Sequence, residues 1–275
     1  MSTEDTANKP GQNYDEAWRV IFLQGNLDLM GLREDFMRLR ATRRCRLCGA
    51  PFDGKGPLPG REPSSRNRND CRACDTWIEQ HHPGAVKGDF TVISADIRGS
   101  VSLAHSMGSD QFQLRYEEPF FLAAVRALND TDGYVAEFRG DELRGVYPPG
   151  FSRGDHVRKA VEGARHLLQD IPPRTPDGTP IPFGIGVYTG DVTIGTSPRT
   201  GTFTRVAISG DGVNMCSRLS GEAGSGEALI SEQVSKEAGL PMDKLERRLL
   251  TLKGLEETVP VYVVTAQSKI EVFPG

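Results

Sequence analysis

No apolar run in this 275-residue sequence approaches the roughly 18–20 residues that a membrane-spanning helix needs, so no membrane partner is expected. The opening residues, Met1-Ser-Thr-Glu-Asp5, have neither the basic start nor the apolar stretch of a secretory signal, and a cytoplasmic location is expected. Aromatic residues are few, at 7%, with two tryptophans. No sign of charge dominates, because the net charge is −4. A hydrophobic fraction of 37% and a charged fraction of 25% exclude a disordered chain. Internal repeats are absent as well. The length fits one large domain, or a medium domain with a small module attached.

Charge is unevenly spread. From Gly31 to Arg72 eleven Lys/Arg face five Asp/Glu, which gives +6 and leaves −10 for the remainder. A basic stretch can bind nucleic acid, but here it lacks interleaved aromatics, so it reads as a solvated positive surface and no nucleic-acid partner is expected. Cysteine is scarce too, with five in all. Four of them form Cys45-x2-Cys48 and Cys71-x2-Cys74, separated by 22 residues. In a cytosolic chain that spacing points to tetrahedral thiolate binding of a structural Zn²⁺, since four sulfurs leave no open position for a substrate. Four unliganded thiols are the plainer alternative. The turn-forming stretch Gly54-Lys-Gly-Pro-Leu-Pro-Gly60 can bring the two pairs together, and Cys216 reads as a small core residue.

Along the chain, 1–13 is polar and expected to be disordered, and 14–84 forms a helical leader with the four-cysteine module. Helical spacing from Tyr14 to Thr42 is expected to be broken at Gly25 and Gly31. From Asp89 strands and helices alternate through Ala266, followed by a tail over 267–275. Phe90–Ala95 is a strand, Asp110–Leu128 an amphipathic helix kinked or split by Pro119, and 133–147 a hairpin with Gly140-Asp141 at its tip. A second hairpin is expected around Thr189-Gly190. The order predicts an α+β fold with an antiparallel sheet and helices on one face.

Two aspartates carry the chemistry. Asp96 ends Thr91-Val-Ile-Ser-Ala-Asp96 before Arg98-Gly99-Ser100, and Asp141 follows Glu137-Phe-Arg-Gly140. A carboxylate at a strand end, beside a glycine loop with free N–H groups, can hold a divalent cation and a polyphosphate together. Two such sites suggest a two-metal centre for phosphoryl or nucleotidyl transfer. Taken singly, Asp141 could be a plain hairpin residue, Asp96 a helix cap and Arg218 a surface charge. Asn214 and Arg218 are four apart, so one helix face presents both.

Residues 89–266 resemble a class III nucleotidyl cyclase catalytic domain, which has a ferredoxin-like core. The resemblance rests on Ala95-Asp-Ile-Arg-Gly-Ser100, Phe138-Arg-Gly-Asp-Glu142, Gly184-Ile-Gly-Val-Tyr-Thr-Gly190, Ser209-Gly-Asp-Gly-Val-Asn-Met-Cys-Ser-Arg-Leu219 and Leu252-Lys-Gly254. The leader is similar to the zinc-containing leader of a bacterial subset of such cyclases. The resemblance implies two Mn²⁺ or Mg²⁺ per active site, held by Asp96, Asp141 and the Ile97 carbonyl. It implies phosphate binding by Gly99, Ser100, Val101 and Lys253, with catalytic roles for Arg218 and Asn214. It also implies a homodimer with two interfacial sites, each taking the aspartates from one subunit and Asn214 and Arg218 from the other.

The base-reading positions of the resemblance fall on Glu137 and Ala207. Ala207 offers a base no hydrogen bond, and Glu137 alone could accept from guanine. Arg139 stands where such cyclases generally carry an aliphatic residue, and it either donates to a pyrimidine carbonyl or forms an exposed ion pair. The combination resembles the pyrimidine cyclases of bacterial antiphage (Pycsar) systems, whose product activates a separate effector protein. The expected function is therefore conversion of UTP to cyclic UMP and pyrophosphate. ATP, GTP and CTP stay open as substrates, as does a catalytically silent nucleotide sensor.

Overall fold

The computed structural model describes residues 12–54, 56–197 and 205–269. Most of the expected disordered start, 1–13, and of the tail, 267–275, lies outside these. In chain order the elements are α1 (Gln12–Arg19, extended by a π turn Val20–Gln24), α2 (Leu27–Met37), α3 (Arg72–Gln80), β1 (Ala85–Ile97), α4 (Ser100–Met107) and α5 (Ser109–Phe112, then a π turn Gln113–Glu117). There follow α6 (Glu118–Asp130), β2 (Tyr134–Arg139), β3 (Glu142–Tyr147), α7 (His156–Arg165), β4 (Phe183–Ser197) and β5 (Arg205–Ser209). The chain continues through α8 (Asp211–Glu222), β6 (Glu227–Ser231), α9 (Glu232–Glu237), β7 (Glu246–Leu250) and β8 (Val259–Thr265).

The strands form one eight-stranded sheet in the order β2-β3-β1-β4-β6-β8-β7, with β5 paired to β4. Every pairing is antiparallel except β4 with β6. The expected α+β class with a mainly antiparallel sheet is therefore observed. Strand alternation sends Ile93, Ala95 and Ile97 of β1 into a core with Ala124, Leu128, Val161 and Leu167 of the helical layer. Phe90 and Val92 point the other way, into a second core with Trp18, Phe22, Ile78 and the four paired cysteines. The leader thus supplies a layer on the second face, beside α8. Each fully buried aromatic or aliphatic side chain there stabilises the fold by roughly 1.5–3 kcal/mol.

Specific contacts lock the leader in place. Trp18 Nε1 donates to the His81 carbonyl at 3.1 Å, and Gly84 exchanges bonds with Thr196 across the start of β1 and the end of β4. The Arg33 guanidinium lies 4.3 Å from the centre of the Phe151 ring and donates to the Leu47 carbonyl at 2.8 Å.

Two local expectations are corrected. Gly25 ends the first helical segment at φ 90°, but α2 runs through Gly31, where a side chain would meet open space. There is also no hairpin at Thr189-Gly190, because β4 is one continuous strand paired along its length with β1. Its glycines serve close approach instead of a turn. A Cβ on Gly186 would lie 2.3 Å from the Cys216 carbonyl oxygen and 2.5 Å from Ser220 N, both in α8. Pro119 divides the 110–128 helix as expected, sitting in the first turn of α6.

Gly186→Ala should therefore push α8 off the sheet and cost roughly 1–3 kcal/mol. Chemical denaturation checks this, and an unchanged midpoint would contradict the packing of α8 on β4.

Candidate active site and cysteine centre

The end of β1 places the first carboxylate. Asp96 pairs with Glu142 on β3 and Gly184 on β4 at the centre of the sheet. Its neighbour Ile97 has a buried side chain, so what it offers a cation is a backbone carbonyl. The chain then turns through Gly99, at φ 70°, into α4. Gly99 can adopt that left-handed conformation without a Cβ penalty, and the first N–H groups of α4 have no intrahelical acceptor. Ser100 and Val101 line a cleft of about 300 Å³ together with Gly140 and Asp141. Val101 is an exposed apolar residue in that cleft.

The tip between β2 and β3 places the second carboxylate against the first. Burial, followed by the adjacent Asp141 carboxylate, pushes the Asp96 carboxyl up to about 7. Arg98 opposes that shift through an ion pair with Asp96 at 2.5 Å, and it also donates to the Gly221 carbonyl in α8 at 3.0 Å. Two crowded acids that share one compensating cation are a donor set suited to divalent metal. Next to them Glu142 accepts from Ser94, from Ser217 at 2.7 Å and from Arg144 at 2.7 Å. Burial alone would raise the Glu142 carboxyl, but these hydrogen bonds outweigh it and hold it below the usual carboxylate range.

The base-reading candidates sit on the neighbouring strands. Glu137 is half-buried and bonds Arg144 at 3.2 Å. Arg139 is exposed on β2, opposite Glu142 in register, and engages no acceptor among the described residues. Ala207 lies on β5 opposite Gly195, and β5 approaches β2.

Asn214 and Arg218 lie elsewhere. Both are exposed on α8, and they line a cleft of about 730 Å³ with Gly254, Leu255 and Glu256. The Arg218 guanidinium lies 3.9 Å from where a Cβ on Gly254 would be, which brings it beside the loop carrying exposed Lys253. Of the expected site residues, the structure brings together Asp96, Asp141, Ser100 and Val101 in one place. It brings Asn214, Arg218 and the Lys253 loop together in another. Among the described residues, none lines both clefts.

The four leader cysteines are buried and form no disulfide. Their sulfurs all lie within 4.8 Å of one another, and Cys48 and Cys71 are 3.7 Å apart. Metal–sulfur bonds of about 2.3 Å in a tetrahedron imply sulfur–sulfur edges near ~3.8 Å, so the cluster fits a four-coordinate metal ion. Cys71 N donates to the Cys45 sulfur at 3.2 Å, and Arg61 Nη1 lies 3.8–4.0 Å from the other three sulfurs. Both contacts suit a cluster carrying negative charge. Cys216 is buried apart from this cluster, its sulfur against the Val92 and Gly186 carbonyls, as expected of a core residue.

Sequence reading missed Arg98, Glu142, Arg144 and Ser217. Charged residues on the face of strand β3 that carries Glu142 and Arg144 were the available signal, because a charge inside a central strand needs a partner.

No protein-family model matches the sequence, and no curated protein matches it. Solved structures do match in fold. The catalytic core of a rhodopsin-guanylyl cyclase with converted specificity, in complex with ATPalphaS, superposes with TM-score 0.57 at 22% identity, over 66% of this chain and 98% of that one. The guanylate cyclase domain of RhGC from Catenaria anguillulae, in complex with GTP, gives 0.54 at 22% identity over 66% and 97%. The adenylyl cyclase CyaB from P. aeruginosa gives 0.51 at 20% identity over 67% and 97%. The chain shares the fold of adenylyl and guanylyl cyclase catalytic domains. Among the described residues, no helix is long and apolar enough to cross a membrane.

Cys45→Ser should lower bound metal from one ion per chain towards none and reduce the thermal midpoint. Elemental analysis of the purified protein checks this, and unchanged metal content would contradict the thiolate centre.

Proposed function

We propose that the chain is a nucleotidyl cyclase that converts a nucleoside triphosphate to a 3′,5′-cyclic nucleotide and pyrophosphate, with UTP as the favoured substrate and cyclic UMP as the product. The observation that carries this reading is the division of the chain into complementary half-sites. One has paired carboxylates beside a helix N-terminus, and the other has an amide and two cations on an exposed face. A head-to-tail homodimer completes two active sites by joining each half to its counterpart.

Asp96, Asp141 and the Ile97 carbonyl would hold two divalent cations, Mn²⁺ or Mg²⁺, which would supply charge neutralisation at the triphosphate and a lowered pKa for the ribose 3′-hydroxyl. Around them the backbone N–H groups of Gly99, Ser100 and Val101 cradle the β- and γ-phosphates. Across the dimer, Asn214 orients the ribose and Lys253 adds a point charge to the triphosphate. The 3′-oxygen gives up its proton to solvent water and bonds to the α-phosphorus while the bridging oxygen leaves with pyrophosphate. Arg218 stabilises the charge that builds on the α-phosphoryl oxygens. The four-cysteine centre holds Zn²⁺ as a structural ion.

At the base, Glu137 lies 3.2 Å from Arg144 and presents a carboxylate, an acceptor. Uracil N3–H suits that acceptor, and Arg139 can donate to a uracil carbonyl. Ala207 adds no polar contact, which suits a small base with few groups to read. Guanine N1–H could meet the same acceptor, so a guanylate cyclase is the second reading. A role in bacterial antiphage defence, through an effector that reads the product, rests on the resemblance of Glu137, Arg139 and Ala207 to the pyrimidine cyclases.

The test is incubation of the purified chain with Mn²⁺ and each of ATP, GTP, CTP and UTP, followed by product identification by mass. Cyclic UMP should dominate, and Asp96→Ala should lower the rate by at least about a thousandfold. A cyclic GMP product would establish the second reading. A dimer that yields no cyclic product from any of the four would instead make the chain a silent nucleotide sensor.

A further inference from the structure

Between the leader and the helical layer lies a cavity of about 420 Å³, distinct from the clefts at Asp141 and Arg218. Its walls differ in chemistry. Arg43, Arg46 and Arg68 come from the leader, and Leu114, Phe121 and Leu122 face them from the π turn after α5 and from α6. Leu114 and Leu122 are 57% and 54% exposed, and Phe138, also in the lining, is 44% exposed. Large apolar side chains left open together mark a surface that binds something.

The cationic wall is only partly neutralised from within. Arg46 pairs with Asp70 at 2.6 Å, and Arg44 donates to the carbonyls of Phe36, Leu39 and Gly49. Arg68 engages no acceptor among the described residues. Glu117 and Glu118 also line the cavity, leaving four arginines against two carboxylates. The volume lies in the range of small-molecule sites, which pair an apolar lining with a few convergent polar groups.

A second observation ties this cavity to the metal cleft. Gln113 and Glu117 line both. They begin and end a π turn, a geometry that recurs at functional sites. A ligand seated on this turn contacts the same segment that walls Asp141, Ser100 and Val101.

We propose that this cavity binds a small amphipathic anion, an aromatic or aliphatic body bearing a carboxylate, sulfonate or phosphate, and that its occupancy is coupled to cation binding at the Asp96–Asp141 cleft. The apolar body lies against Leu114, Phe121 and Leu122, and the anionic group meets Arg43 and Arg68. The leader thereby forms one wall of a regulatory site in addition to packing on the sheet.

The test uses the full-length, metal-replete protein and the fluorescent probe 8-anilinonaphthalene-1-sulfonate, with neutral N-phenyl-1-naphthylamine as the uncharged counterpart. The sulfonate should bind saturably at one site per chain, and the neutral analogue about tenfold more weakly. Arg68→Glu and Leu122→Asp change exposed side chains, so circular dichroism and thermal midpoint should stay at wild-type values while sulfonate affinity falls about tenfold. Mn²⁺ should shift sulfonate affinity about fivefold in the wild type, and not in Asp96→Ala. Absence of saturable binding, or equal affinity in the two cavity variants, would overturn the site. Equal affinity for the neutral probe would overturn its anionic character, and indifference to Mn²⁺ would overturn the coupling. Because every readout is binding, the result is independent of whether the chain turns over a nucleotide.

Discussion

The long antiparallel pairing of β1 with β4 is the constraint on which the rest of the structure depends. It runs in unbroken register from Ala85 opposite Gly195 to Ile97 opposite Phe183. At one end it delivers Asp96 to the cleft, and at the other it receives the leader through Gly84 and Thr196. The glycines of β4 let α8 lie directly on this pair, so the strand that supports one half-site also sets the height of the other. A shift of one residue in this register would turn Asp96 into the helical core and bring Ile97 out to the cleft. The burial of Ile93, Ala95 and Ile97 on one face and of Phe90 and Val92 on the other opposes such a slip.

Charge around that frame is concentrated at the two crowded acids. Asp96 and Asp141 crowd each other, and Arg98 supplies a local counter-charge. Glu142 is engaged by Ser94, Ser217 and Arg144, which sets it apart from the crowded pair Asp96 and Asp141. Ser217 and Arg218 are adjacent on α8, yet one is tied into the sheet and the other is exposed. Helix geometry alone makes that division, and it leaves Arg218 facing outward while α8 stays anchored.

Much of this was legible in the sequence. The two Cys-x2-Cys pairs gave a compact sulfur cluster, and the glycine turns beside Asp96 and Asp141 brought those acids together. The split at Pro119 also followed directly. What was not legible depended on tertiary contact. Gly190 looked like a turn residue because local sequence cannot distinguish a bend from a surface that another helix must approach. Gly31 looked like a helix breaker, but its penalty of about 1 kcal/mol is readily overridden by the burial of Met30, Arg33 and Phe36 on the same helix. Arg144 and Glu142 escaped notice because their meaning lies in a cross-strand network with Ser94 and α8. The shared core of leader and sheet could not be read from spacing, since Trp18 and Phe22 of the leader lie far along the chain from Val192.

The central claim is that one chain holds two incomplete half-sites and that catalysis requires two chains. Mixing two variants, Asp96→Ala and Arg218→Ala, tests this most directly, with each variant confirmed to be folded and dimeric. Separately each should be inactive. After subunit exchange at equal concentrations, half of the dimers pair one variant with the other and hold one intact site in two, so cyclic-nucleotide formation should recover to about a quarter of the wild-type rate. Persistent inactivity in a mixture shown to contain the mixed dimer would contradict a site shared across the interface.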